Sequence, residues 1–278
     1  MAKNRVKPTC AVPTICQQLQ ELQRQRVCNL KSRIMIENRL VATVATASGY
    51  HAGMEEADRM KRFADARKVI ESVKAGLESE TVAVCGLILS TLPAIDGFDG
   101  MVTAYEKEME KLAKQLPVFE WQQEPEQRGF GLLSLAKIIG ETGDLALYAA
   151  PGKLWKRMGC APFESKGKML MPATWRRMKP GLSAEEWEVC GYNPRRRSIA
   201  YLIGEGIVKQ NGPGPYRQRY DYTKARAAEV HGEEWKPMRC HLHGMLLATK
   251  LLLKNLWCEW NGDVVLETEL DCAALAHA

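Results

Sequence analysis

The stretch Arg128-Gly129-Phe130-Gly131-Leu132-Leu133-Ser134-Leu135-Ala136-Lys137-Ile138-Ile139 joins a Gly-x-Gly turn to an apolar-periodic segment, the pattern of a helical hairpin. Glycines at such a turn let main-chain N–H groups approach an anion at a helix N-terminus, where the helix dipole favours negative charge. The spacing therefore predicts a helix-hairpin-helix module that meets a nucleic-acid backbone through Gly129 and Gly131, with Arg128 and Lys137 beside the turn. Working outward, residues 151–226 hold sixteen Lys/Arg against six Asp/Glu, a local excess of +10 in a chain of net charge +6. Everything else sums to about −4, so positive charge is concentrated next to the hairpin, as a polyanion partner requires.

Composition bounds the remaining possibilities. A chain of 278 residues, 46% hydrophobic and 26% charged, is long enough for one or two domains with real cores. Apolar runs such as Val82-Ala83-Val84-Cys85-Gly86-Leu87-Ile88-Leu89 stop short of the roughly 20 residues of a membrane span, so no membrane segment is expected. Basic residues near Met1 are followed by Gln17, Gln18, Gln20 and Glu21 rather than an apolar run, so no secretory signal is expected. Nine cysteines at irregular spacing, with no Cys-x-x-Cys pair, favour reduced thiols and a cytoplasmic location.

Periodicity predicts a mostly or entirely α fold. Residues 1–13 read as a flexible N-terminus and 14–121 as a helical coiled-coil region. A long helix over 14–47 carries Val27, Leu30, Ile34, Val41 and Val44 at three- and four-residue steps, and a second over 54–78 pairs with it as a helical hairpin. The apolar segment 82–92 is expected to end at Pro93, with another helix over 101–116. Trp121-Gln122-Gln123-Glu124-Pro125-Glu126 reads as a linker and the domain boundary. Beyond it, 122–262 is a second helical domain and 263–278 a tail. Ser183-Ala184-Glu185-Glu186 is a capping box, and Asn193-Pro194-Arg195 an equally good helix start. Helices follow over 216–230 and 234–260, with a possible short strand only at Val264-Val265-Leu266.

Several side chains could carry chemistry. Arg195-Arg196-Arg197 places three cations in a first helical turn, against the macrodipole, which calls for an external anion. Arg176 and Arg177, with Lys179 and Trp175, combine cations with a stacking surface. Tyr216, Tyr220 and Tyr222, interleaved with Arg217 and Arg219, form another aromatic and cationic patch, with packing against the last helix as its plain alternative. Lys166, Lys168 and Lys209 complete the set of expected nucleic-acid contacts. Cys240-His241-Leu242-His243, with His231 and Cys258, has metal-ligand residue types but lacks a full ligand set, so no metal site is expected. Asp144, fifteen residues beyond Gly129, stands where a base-excision glycosylase could hold an acid, although the rest of that framework is not legible.

A run of motifs in fixed order carries a family resemblance. Gly129-Phe130-Gly131 is followed by Leu154-Trp155-Lys156-Arg157-Met158-Gly159-Cys160-Ala161-Pro162 and by Arg195-Arg196-Arg197. Asn211-Gly212-Pro213, Tyr220 and Lys224-Ala225 come next, then His243-Gly244-Met245, Lys250-Leu251-Leu252-Leu253 and Trp257. Over roughly residues 120–260 this resembles the C-terminal domain of the DEDD-type insertion-sequence transposases related to the pilin-gene invertase. The resemblance implies action in DNA transposition or recombination, with DNA and a structured guide RNA as partners. It also implies a coiled coil ahead of the hairpin domain, which residues 14–116 would supply, and so a homo-oligomer formed through the N-terminal helices.

Two departures shape the expectation. The family's RNase-H-like domain, which supplies four metal-binding acidic residues, would lie ahead of the coiled coil, where only about a dozen residues stand. No cofactor is therefore expected in this chain, and Mg2+ only with a partner domain. The family's nucleophilic serine directly precedes a glycine, whereas here the run is Glu164-Ser165-Lys166-Gly167-Lys168. Ser165 is the matching candidate nucleophile, with Lys166 and Lys168 as stabilising cations, and 169–191 reads as an insertion. Three readings result: a nucleic-acid binder without chemistry of its own, a recombinase subunit using Ser165 with a metal site from a partner, and an architectural dimer.

Overall fold

The computed structural model describes residues 11–77, 82–165, 168–170, 193–210, 212 and 214–262. Among these, the chain is all-α apart from one short β-hairpin. It divides into two compact units, one of Leu22–Glu108 and one of Met1–Glu21 with Met109–Ala278. The division runs through two long helices rather than at residues 121 and 122.

The Leu22–Glu108 unit is built from α1 (Ala11–Ala47), α2 (Glu56–Lys74) and α3 (Val82–Ala113), of which α1 and α3 extend beyond it. Leu40, Val41, Val44 and Ala45 of α1 close on Ala66, Ile70 and Val73 of α2 and on Ile88 and Ile95 of α3. Polar bridges tie α1 to α3: Arg26 to Glu106 at 2.7 Å and Arg33 to Asp99 at 3.0 Å. The expected break at Pro93 does not occur. Pro93 stands inside a continuous 32-residue helix, because Ile88 and Ile95 anchor it on both sides of the missing N–H and the proline faces solvent. Joined in this way, Ala83–Ala113 is the one helix among the described residues long and apolar enough to cross a membrane, which separate runs did not suggest.

In the other unit the supposed linker is part of the folded core. Short helix α4 (Phe119–Gln122) buries Trp121 and Gln122, and the Gln122 amide donates to the Phe130 carbonyl at 2.6 Å. A 3-10 turn, Pro125–Gln127, leads into the Gly-x-Gly turn and α5 (Leu132–Thr142). A second 3-10 turn, Leu145–Leu147, precedes α6 (Pro151–Arg157). Then come β1 (Phe163–Ser165) and β2 (Lys168–Leu170), antiparallel, with Ser165 opposite Lys168 in the backbone register. Helices α7 (Pro194–Lys209), α8 (Pro215–His231) and α9 (Pro237–Asn261) complete the unit.

Helix α9 is the spine. Its Leu252, Leu253 and Leu256 are fully buried, as are Leu135, Ile138 and Ile139 of α5 and Leu154 of α6. Small residues set the spacing: a Cβ on Gly204 of α7 would stand 2.9 Å from the Thr249 hydroxyl, and one on Gly244 of α9 3.0 Å from the Tyr220 ring. Three indole N–H groups fasten the spine. Trp155 donates to the Lys250 carbonyl, Trp257 to the Tyr148 carbonyl and Trp260 to the Asp144 carboxylate, at 2.8–2.9 Å. The Ser183 capping box, the Val264 strand and most of the 169–191 insertion lie outside the described residues.

Candidate nucleic-acid interface

Helices α5 and α7 run antiparallel: Gly129, before α5, touches Gly206 near the end of α7, and Glu141, near the end of α5, meets Arg195 at the start of α7. With 11 residues in α5 at 1.5 Å each, the glycine turn and the arginine run stand at opposite ends, about 16 Å apart. The arginine run therefore does not lie at the glycine turn.

At the glycine end, packing explains most of the pattern. Gly129 has φ +86°, and a Cβ there would come within 2.6 Å of the Gly206 carbonyl oxygen and 2.9 Å of the Ile207 Cα. Its glycine is required by a backbone-to-backbone contact. Gly131 is different, with φ −74°, open space where a Cβ would go, and the N-cap position of α5. Phe130 between them is buried. The cations nearby are largely engaged with the protein. Lys209 pairs with Glu205 at 3.1 Å, and Arg217 holds Asp221 at 2.9 Å and the Val208 carbonyl at 2.6 Å. Arg219 is only 4% exposed, and Lys137 is half-buried and makes interactions of its own. Arg128 stays exposed, its guanidinium beside Gly212.

The arginine end is built differently. Asn193 caps α7, its Oδ1 accepting from the N–H groups of Arg195 at 3.0 Å and Arg196 at 3.3 Å, with Pro194 at the first helical position. This helix start was legible in the sequence. The anion was not: Glu141, 1% exposed, takes a two-pronged contact from Arg195 at 2.5 and 2.8 Å and a third from Arg196 at 3.3 Å. The cations in the first turn are thus offset from inside the protein, which corrects the inference that they require an external anion. Among the described residues, cations nevertheless outnumber carboxylates at this end. Burial first, then the neighbouring Arg157, push Arg196 below the usual arginine range, with Glu141 opposing and Arg195 adding to the shift. Arg197 packs on Gly159 and donates to the buried Cys160 sulfur at 3.5 Å. Burial raises the Cys160 thiol despite that cation, so the sulfur stays protonated. Neither Arg157 nor Arg197 pairs with a carboxylate among the described residues, and Lys153 and Lys156 are exposed on α6. Sequence reasoning missed Glu141, Arg157, Lys153 and Lys156 as site residues; the short basic helix Lys153–Arg157 was the available signal.

The other candidates resolve individually. Tyr216 is buried and donates to Gln127 at 2.8 Å while accepting from Asn255, and Tyr220 is buried with its hydroxyl 2.7 Å from His241 Nδ1. They pack α8 against its neighbours; Tyr222 alone of the three is exposed. Asp144 accepts from the Ala146 N–H at 2.9 Å and from Trp260, capping the 3-10 turn Leu145–Leu147. Cys240 and Cys258 are buried, His241 meets Tyr220, and His243 packs edge-on to Trp235. No group of three metal-ligating side chains converges among the described residues. Ser165 pairs with Lys168 in the backbone register of the β-hairpin, while Lys166, Arg176 and Arg177 lie outside the described residues.

Comparison with protein families, with characterised proteins and with solved structures finds no match to this chain.

Proposed function

We propose that the protein binds nucleic acid through the arginine end of α5, α6 and α7. The observation that carries this reading is an imbalance. Arg195 and Arg196 share one buried carboxylate, Glu141; Arg157 lies close enough to Arg196 to lower its pKa, Arg197 follows in the same helical turn on Cys160, and the exposed Lys153 and Lys156 flank Arg157 on α6. Planar guanidinium groups suit phosphate oxygens, and several of them together suit a polyanion better than a single small ligand. Arg128, at the far end of α5, would add a separate contact. The order of motifs supports a role derived from DNA transposition, with duplex DNA or a structured RNA as ligand.

Two finer proposals belong to the same reading. A second copy would join through the helices of the Leu22–Glu108 unit, where α1 exposes Ile34 and Met35 and α3 exposes Leu87, Leu89 and Met101; a monomer by light scattering removes this. Ser165 would act as a nucleophile only beside a metal site brought by a partner; unaltered recombination by Ser165→Ala in a reconstituted system removes that. The test of the main reading is an electrophoretic-shift titration against duplex DNA, single-stranded DNA and structured RNA at low and high salt. Binding that weakens steeply with salt is expected for at least one ligand. Salt-insensitive or absent binding to all three defeats it.

A further inference from the structure

We infer that the nucleic acid held at the arginine end continues along one face of α9, past Lys250 and His243 to Arg239; this rests on the reading of the arginine end as the interface. An α-helix turns about 100° per residue, so Arg239, His243, Lys250 and Lys254 fall within an arc of about 60°. The one carboxylate of α9, Glu259, stands about 180° round from Lys250. Arg239 is exposed and the other three are half-buried, while Cys240, Gly244, Ala248 and Leu252 turn to the core. The result is a purely cationic stripe about 22 Å long.

The stripe adjoins the arginine end. Arg197 donates to the Cys160 sulfur at 3.5 Å, and Lys250 acts on the same sulfur from α9. Lys250 is fixed there by Trp155, the residue before Lys156 and Arg157. Its Nζ lies 4.5 Å from the centre of the Trp155 ring, and the indole N–H donates to the Lys250 carbonyl at 2.9 Å. At the other end a second indole gathers cations: Arg239 lies 4.0 Å from the centre of the Trp235 ring, His231 stacks on that ring at 3.8 Å, and His243 meets it edge-on at 5.4 Å. The stripe finishes beside a pocket whose lining includes Lys224, Trp235 and Lys236. What these cations lack is an acid. Burial first, then His231, Lys250, Arg219 and Arg239, lower His243, and burial lowers Lys250 against Cys160 alone. Among the described residues no carboxylate pairs with Arg239, His243, Lys250 or Lys254. Glu141 offsets the arginine run from inside the protein, whereas the stripe has no such offset, and like charges on one helix face repel. A polyanion laid along the face relieves that repulsion, and cations interleaved with indole rings are the surface that nucleic acids occupy.

Two measurements on the full chain test this. Duplex DNA, single-stranded DNA and a structured RNA are titrated against native protein and Arg239→Gln/Lys250→Met over a range of salt, and the native His243 ring is followed by NMR from pH 5 to 8 at 0.15 M salt with and without the bound oligonucleotide. His243 lies seven residues, about 10 Å, beyond Lys250, so a polyanion confined to the arginine end stands more than one screening length of about 8 Å away. The expected results are a salt slope shallower by about 1 to 2 in the variant and a His243 that titrates about half a pH unit or more higher when nucleic acid is bound. If the double variant does not fold by circular dichroism, Arg239→Gln alone should flatten the slope by about 0.9. Native binding with an unchanged slope in a folded variant, or with an unmoved His243, overturns the inference and leaves the arginine-end reading standing. Native protein that binds none of the three ligands defeats that reading, and the inference with it.

Discussion

Replacing Glu141 by Gln removes the carboxylate around which the arginine cluster is organised while preserving side-chain volume. In the native protein its two oxygens accept from Arg195 at 2.5 and 2.8 Å and from Arg196 at 3.3 Å, and the group is 1% exposed. Removing one partner of a buried pair costs about 3–5 kcal/mol when the charge left behind stays dry. Here the Arg195 side chain is 41% exposed and rehydrates, whereas Arg196, at 16%, does so only in part. The amide keeps one acceptor oxygen and turns an N–H2 toward a guanidinium, so the destabilisation is roughly 2–3 kcal/mol after that discount. For a protein of this size it lowers the thermal midpoint by roughly 4–12 °C. Circular dichroism on heating measures it. Sulfate should restore more of the midpoint in Glu141→Gln than in the native protein at equal ionic strength, because an added anion takes the place of the missing carboxylate. A midpoint within about 1 °C of native, or equal responses to sulfate and chloride, would refute the claim that Glu141 holds mutually repelling arginines together.

Gly129→Ala and Gly131→Ala separate packing from ligand contact. The first drives a Cβ into the Gly206 carbonyl at φ +86° and should cost at least about 3 kcal/mol, whereas the second meets open space and should stay within about 1 kcal/mol of native in urea unfolding. Duplex affinity that survives Gly131→Ala would remove the α5 N-terminus from the interface. Pro93→Ala should stabilise the Leu22–Glu108 unit by roughly 1–3 kcal/mol, since it restores an N–H inside α3; a drop in stability would mean the proline is needed for the helix path. Burial first, then His231, Lys250, Arg219 and Arg239, lower the pKa of His243 in the folded protein. The unfolded chain therefore takes up that proton at higher pH than the folded one. Stability should fall as pH drops below about 6.5 and level off below the folded value. Urea unfolding from pH 7.5 to 5.5 should show this slope in the native protein and a flatter one in His243→Gln.

What the sequence made legible follows from the range of each interaction. Helix α1 was readable because its periodicity is local and no Gly or Pro interrupts it over 14–47, and the start of α7 because Asn193 caps residues two and three positions away. Pro93 misled because a local breaker rule cannot register Ile88 and Ile95 held by α1 and α2. Gly129 was readable as a tight turn, yet its partner Gly206 lies 77 residues on, so its packing contact was not legible. Glu141 is the sharpest case: in sequence it is one acidic residue in an apolar helix, and its meaning comes from Arg195, 54 residues away. The tyrosines of α8 looked like a patch because their helical spacing shows which residues share a face but not which face is buried.

The most direct test of the account is the salt dependence of duplex-DNA affinity for the native chain and for Lys153→Ala/Lys156→Ala/Arg157→Ala, three changes on α6 that leave the Glu141 pairs intact. Each phosphate that the variant no longer neutralises flattens the slope of log K against log salt by about 0.9. The expected slope is shallower by about 2 to 3 in a variant that circular dichroism shows to be folded. An unchanged slope in a folded variant would place the nucleic-acid interface elsewhere, and a native chain that binds no duplex would contradict the account at its centre.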